Sequence, residues 1–172
     1  MTPVNTGDEL LPLVDDKGMV IGREWRSVCH NRTMKLHPVV HVFILNSAGK
    51  LLLQKRPLSK LIQPGKWDIS VGGHVAYGES VEIAVRREMD EEIGIVDIPL
   101  QLCHQYIWQS IIEREYVYIF IGIYNGIFKT LSDEIDDCRF WERSEIEANL
   151  GSGVFTPCLE HEYQLLNQMK LL

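Results

Sequence analysis

Residues 73–95 read GHVAYGESVEIAVRREMDEEIGI, and their periodicity sets a problem that any fold of this chain must solve. A helix advances ~100° per residue, which puts Val81, Ala84, Val85 and Met89 on one broad apolar face of the kind that packs on a core. Glu88 and Glu92 fall in the middle of that face and Glu91 lies beside it, so three carboxylates converge at i, i+3 and i+4. A solvated acidic surface would sit opposite the stripe. Like charges ~4 Å apart repel by about 1 kcal/mol in water and about 4 kcal/mol at an intermediate dielectric, so the cluster costs stability and calls for a cation. Oxygen ligands grouped this way suit Mg²⁺ or Mn²⁺, which take a few carboxylates and complete their shells with water and phosphate oxygens. Around the cluster, Ser80 is an N-cap, Gly94 ends the helix, and Gly73 permits a tight loop whose carbonyl can approach a metal. Arg87 can hold Glu79 or Glu91 in a charge-assisted fork, a role of orientation rather than chemistry.

Length and composition exclude more than they specify. A chain of 172 residues fits one domain spanning 1–172, with a core large enough to need no staples. Cys29, Cys103, Cys138 and Cys158 are far apart and show no metal-type pairing, and Met1–Val4 carries no signal pattern, so a reducing, cytoplasmic setting is expected. No apolar run approaches the ~20 residues that span a bilayer. The formal charge of −7 argues against nucleic acid or an anionic membrane as a partner. An anionic substrate therefore needs local cations.

Turn signals and periodicity give a coarse order of elements. A hairpin is expected around Asp16-Lys17-Gly18, and a longer one pairing Val39–Leu45 with Leu51–Arg56. Strands follow at 67–71, 99–108, 116–124 and 137–141, with the acidic helix between the first two. Ser144–Leu150 reads as a short helix, and Thr156-Pro157 opens a final one. Mixed strands with segregated helices imply an α+β fold.

Gly73, Glu79, Arg87, Glu88, Met89, Glu91, Glu92, Gly94 and Ile95 fit G-x5-E-x7-R-E-U-x-E-E-x-G-U, U being apolar, with no substituted position. Nine fixed positions are far more specific than a lone glycine motif. The chain resembles the Nudix hydrolases. That resemblance implies an α/β/α sandwich with a mixed β-sheet, and Gly73, Glu79, Glu88, Glu91 and Glu92 as the metal-binding set.

A second constellation lies outside this box: His30, His37, His74 and the pair Glu113 and Glu115. The stretches HNRTMKLH and LLLQKRPLSKLIQPGKWDISVGGH are similar to the type I isopentenyl-diphosphate isomerases, which share the Nudix fold. The similarity runs from about Asp15 to Phe155. In that family three histidines at this spacing and a Glu-x-Glu pair bind a divalent metal, and basic residues matching Arg56 and Lys60 hold the diphosphate. Four positions depart from it. Gly72 stands where the isomerases have a catalytic cysteine, Glu88 where they have a basic residue, Glu91 where they lack an acid, and Cys158 where a tryptophan stabilises the cationic intermediate. A glycine moves no proton, and a thiol offers no cation–π face.

The residues therefore point to Mg²⁺- or Mn²⁺-dependent hydrolysis of a small-molecule diphosphate linked to another moiety. Glu88 and Glu134 are the two candidate general bases. The alternatives are a divergent isopentenyl-diphosphate isomerase and a catalytically silent ligand-binding module. Oligomeric state is left open.

Overall fold

Residues 39–45 read VVHVFIL, an almost unbroken apolar run of the kind that a strand shows when both its faces are covered. A computed structural model describes residues 8–130 and 135–172 and makes this run part of the central strand. The strand, β3 (Leu36–Leu45), follows a two-stranded antiparallel sheet of β1 (Leu10–Val14) and β2 (Val20–Trp25) and one helical turn, α1 (Arg26–Cys29). After it come β4 (Leu51–Lys55), β5 (Trp67–Asp68), β6 (Val71–His74), α2 (Val81–Ile93), β7 (Leu100–Gln109), β8 (Arg114–Ile123), β9 (Asp137–Trp141), α3 (Arg143–Asn149) and α4 (Pro157–Gln168).

The main sheet is mixed, as expected: β3 runs parallel to β8 along its whole length and antiparallel to β6, and β7 pairs antiparallel with β8. On one face, Val40, Val42 and Ile44 pack with Ala84, Val85 and Met89 of α2. On the other, Val39 and Phe43 pack with Ile146 of α3 and with Leu159, Tyr163 and Leu166 of α4. Helices on both faces of a mixed sheet make the α/β/α sandwich. The first hairpin forms where expected, with Asp15 Oδ1 accepting from Lys17 and Met19 N, each at 2.9 Å.

The second hairpin needs correction. β3 and β4 pair only at Leu45 and Leu51. A strand has two edges, and those of β3 are taken by β8 and, over residues 39–42, by β6; β4 turns instead to β5 and β9.

The register decides which side chains share the site. His37 lies opposite Glu115, Val39 opposite His74, and His41 opposite Gly72. Opposed residues point to the same face and alternate residues along a strand do too, so all of these stand on the α4 side of the sheet.

Candidate active site

The acidic helix begins and ends as its sequence requires. Ser80 Oγ accepts from Ile83 N at 3.3 Å, and Gly94 stops the helix in the left-handed region at φ 67°. Arg87 is the hub. It donates to both Glu79 oxygens at 2.9 Å, to Glu88 Oε1 at 2.7 Å, to Glu91 Oε2 at 3.2 Å and to the carbonyl of His74 at 2.9 Å. Both Glu79 oxygens are thus occupied, Oε2 also by Ala76 N. Glu79 therefore holds the arginine rather than standing among free carboxylates, and the bonds from Arg87 keep its pKa low. The tight three-carboxylate convergence expected on α2 is opened by Arg87, which lies between Glu88 and Glu91, while Gln54 Nε2 donates to the buried Glu92 at 3.2 Å. Burial raises the Glu88 pKa against the opposing pull of Arg87.

Gly73 is not in a tight loop. It pairs with Val40 within β6, and a Cβ built there would lie 2.0 Å from Glu88 Cδ. The glycine is needed because the Glu88 carboxylate rests against the main chain, a cradle that any side chain would fill.

On the α4 side the three histidines meet. Their ring centroids are 4.9 to 5.6 Å apart, and His30 Nε2 lies 2.9 Å from His74 Nε2. α1 delivers His30 to the cluster, where its Nδ1 lies 2.8 Å from Glu113 Oε2. His37 Nδ1 lies 2.9 Å from the carbonyl of Lys35, and its buried Nε2 has no partner among the described residues. Burial lowers the pKa of His37 and takes that of His74 well below the ordinary value, so both present neutral nitrogens. Burial, reinforced by Glu113, pushes Glu115 up to about 8. His30, His37 and His74 offer ligand atoms within 4.8 Å of one another, as do His37, Glu113 and Glu115. Neutral imidazoles beside carboxylates are a donor set for a divalent transition metal.

Both clusters open into one cavity of about 900 Å³, whose lining includes Gly73, Glu88, Glu91, Glu92, His74 and Glu113. Arg56 and Lys60 line it as well. Arg56 Nη1 lies 3.4 Å from Asp68 and Nε 3.2 Å from the Ile62 carbonyl, which fixes the guanidinium at the rim. Glu134 lies outside the described residues. Cys158, remote from Gly72 in sequence, lines the same cavity.

Three groups escaped the sequence reading: His41, which lines the cavity, and Tyr106 and Glu162, which bond to one another behind it beside the thiol of Cys158. A signal for one of them was present. Glu162 interrupts the stripe Leu159, Tyr163, Leu166 of α4 just as Glu88 and Glu92 interrupt that of α2, and it is fully buried.

A family model described as NUDIX domain matches residues 35–157. The isopentenyl-diphosphate Delta-isomerase 2 of Photorhabdus laumondii is 36% identical over 151 residues, covering 85% of this chain and 84% of that protein. An uncharacterized Nudix hydrolase of Listeria monocytogenes is 34% identical over 137 residues, covering 78% of each chain. The crystal structure of DR0079 from Deinococcus radiodurans superposes with a TM-score of 0.74 at 25% identity, covering 86% of this chain and 92% of that one.

Proposed function

The chain belongs to the Nudix family, and from that premise we propose that it is a Mg²⁺- or Mn²⁺-dependent hydrolase of a small-molecule diphosphate linked to a second moiety. The observation that carries the reading is the seat of Glu88 against Gly73, with Glu91 and Glu92 lining the same cavity and Arg87 fixing the carboxylates. Glu88, Glu91, Glu92 and the Gly73 carbonyl would hold the metal. Their all-oxygen donor set fits a hard cation, and the Gly73 cradle gives it a carboxylate that no larger residue would allow. A bound ion would offset charge on the diphosphate and ease loss of a proton from the water that attacks phosphorus.

The side chains supply the rest. Arg56 and Lys60 hold diphosphate oxygens at the rim. Glu88, seated beside the site of attack, takes the proton of the attacking water; Glu134 is the alternative base. His30, His37 and His74 with Glu113 and Glu115 form a second divalent-metal or substrate-phosphate site, for which the unpartnered His37 Nε2 is the supporting observation. The four cysteines are all free, in keeping with a cytoplasmic setting. Among the described residues no helix is long and apolar enough to cross a membrane.

Two features weigh against isomerase chemistry despite the isomerase relatives. Gly72 offers no side chain to move a proton, and a Cβ there would stand 3.0 Å from Ile69 Cδ1, so a larger residue would need Ile69 to shift. Burial takes the pKa of the Cys158 thiol well above its ordinary value and keeps it protonated. The intact carboxylate set likewise weighs against a silent module.

The test is a panel of diphosphate compounds with Mg²⁺ or Mn²⁺, read by phosphate release and product mass, run beside hydrogen exchange from heavy water into isopentenyl diphosphate. Hydrolysis that needs metal and falls at least a hundredfold in Glu92→Gln is expected, with no deuterium incorporation. Deuterium incorporation that Cys158→Ser abolishes, without hydrolysis, would replace the hydrolase reading with an isomerase.

A further inference from the structure

Behind His41, which lines the cavity, lies a polar device that neither the carboxylate nor the histidine cluster uses. Glu162 presents a carboxylate from the apolar stripe of α4, fully buried, and an ion there persists only if it is paired and hydrogen-bonded. Its Oε1 lies 2.7 Å from His41 Nδ1 and 2.7 Å from the hydroxyl of Tyr106, which donates to it. Tyr106 lies 3.9 Å from Cys158 Sγ. With Nδ1 committed to Glu162, the remaining nitrogen of His41 is Nε2, which has no partner among the described residues, and His41 lines the cavity. A ring held by a carboxylate at one nitrogen and open at the other is fixed in orientation, and it donates from the open nitrogen when it is protonated.

Gly72 leaves that ring uncovered. It lies directly opposite His41 in the register, and an added Cβ would come within 3.5 Å of His41 Cδ2. The absence of a side chain at position 72 therefore does more than remove a thiol: it opens the His41 ring edge to whatever occupies the cavity. Burial disfavours charge on His41, but Glu162 outweighs it and lifts the imidazole to about 9, so Nε2 carries a proton at neutral pH.

Resting on the hydrolase reading, we propose that His41, oriented by Glu162 and Tyr106, donates a hydrogen bond from Nε2 to an acceptor on the non-phosphate moiety, selecting diphosphates of polar, acceptor-bearing groups over those of hydrocarbon alcohols. A hydrocarbon in the same place leaves the Nε2–H buried and unpaired, and a site built to hydrogen-bond discriminates strongly against a ligand that cannot. His41 is thus a specificity-determining residue. Glu162 and Tyr106 are positioning residues.

The experiment compares nucleoside diphosphate sugars with isopentenyl diphosphate on the full chain with Mg²⁺, by kcat and KM and, in parallel, by calorimetric Kd. The wild type should favour the best polar compound at least tenfold in kcat/KM and in affinity. His41→Gln, whose amide nitrogen replaces Nε2, should keep most of that preference. His41→Asn, whose amide replaces Nδ1 and preserves the link to Glu162, should reduce it below threefold, chiefly through KM. Should these variants unfold, Gly72→Ala covers the His41 ring edge while leaving both members of the buried pair unsubstituted, and should also reduce the preference. A wild-type preference for isopentenyl diphosphate, or a preference retained by His41→Asn and Gly72→Ala, would overturn the proposal while leaving hydrolysis standing. Selective binding without turnover of any compound would sink the hydrolase reading and leave the role of His41 in place; no binding of any compound would sink both.

Discussion

At Gly73 a single methyl group tests the proposed metal seat. The added carbon would fall 2.0 Å from the carboxyl carbon of Glu88, so Gly73→Ala must swing that carboxylate away from the main chain and from Arg87. Misplacing a reacting group by about 1 Å costs on the order of a hundredfold in rate. Phosphate release by Gly73→Ala is expected to fall by at least that factor while the circular dichroism spectrum is retained; near-normal turnover would show that Glu88 is not seated there in the working enzyme. The sequence identified Glu88, Arg87 and Gly73 because their spacing is local to one helix and the strand before it. It assigned Gly73 the wrong reason, since only the docking of α2 on β6 shows that a carboxylate fills the space a side chain would need.

Among the elements, α2 and α4 pose the same contradiction, acids inside an apolar stripe, and resolve it differently. In α2 the charges face a cavity with Arg87 among them; in α4 Glu162 is sealed beneath the sheet and pairs with His41. Their caps should respond differently as well. Ser80 is exposed and caps Ile83 N alone, so Ser80→Ala should cost about 1 kcal/mol. Thr156 is buried, caps Leu159 N at 3.2 Å and also donates to Asp68 Oδ1 at 2.7 Å, so Thr156→Ala strands a second group and should cost more. For a chain of this size each 1 kcal/mol lowers the melting temperature by roughly 2–4 °C. Equal losses in calorimetric melts of the two variants would remove the role assigned to the Asp68 bond. Both caps were legible as Ser and Thr before helical patterns, whereas the Asp68 partner was not, because it lies 88 residues away.

For the molecule as a whole, the buried pair between β3 and α4 should appear as a pH dependence of stability. Desolvation works against the charged imidazole, yet Glu162 raises it from 6.5 to about 9. The folded state then holds a proton that the unfolded chain releases above about pH 6.5; the contribution is complete below that value and is lost as pH rises through 9. Glu115, raised to about 8 by burial, acts in the same direction, while the depressed His37 and His74 weaken the fold only on the acid side. Metal-free protein should therefore lose stability from pH 7 to 9, with at most about 1.4 kcal/mol per pH unit from any one proton. Denaturant titrations should show a shallower slope in His41→Asn, and an unchanged slope would assign the effect elsewhere. By itself the sequence determined the acidic helix and its ends and the order of mixed strands and helices. These follow from periodicity and turn chemistry, which act over a few residues. Tertiary structure alone decided that β3 gives its edges to β6 and β8 rather than to β4, that Arg87 divides the carboxylates, and that His41 meets Glu162 across 121 residues. Those outcomes depend on strand register and helix docking, where a slip of β3 by one residue would turn His37 and His41 to the opposite face of the sheet, away from Glu115.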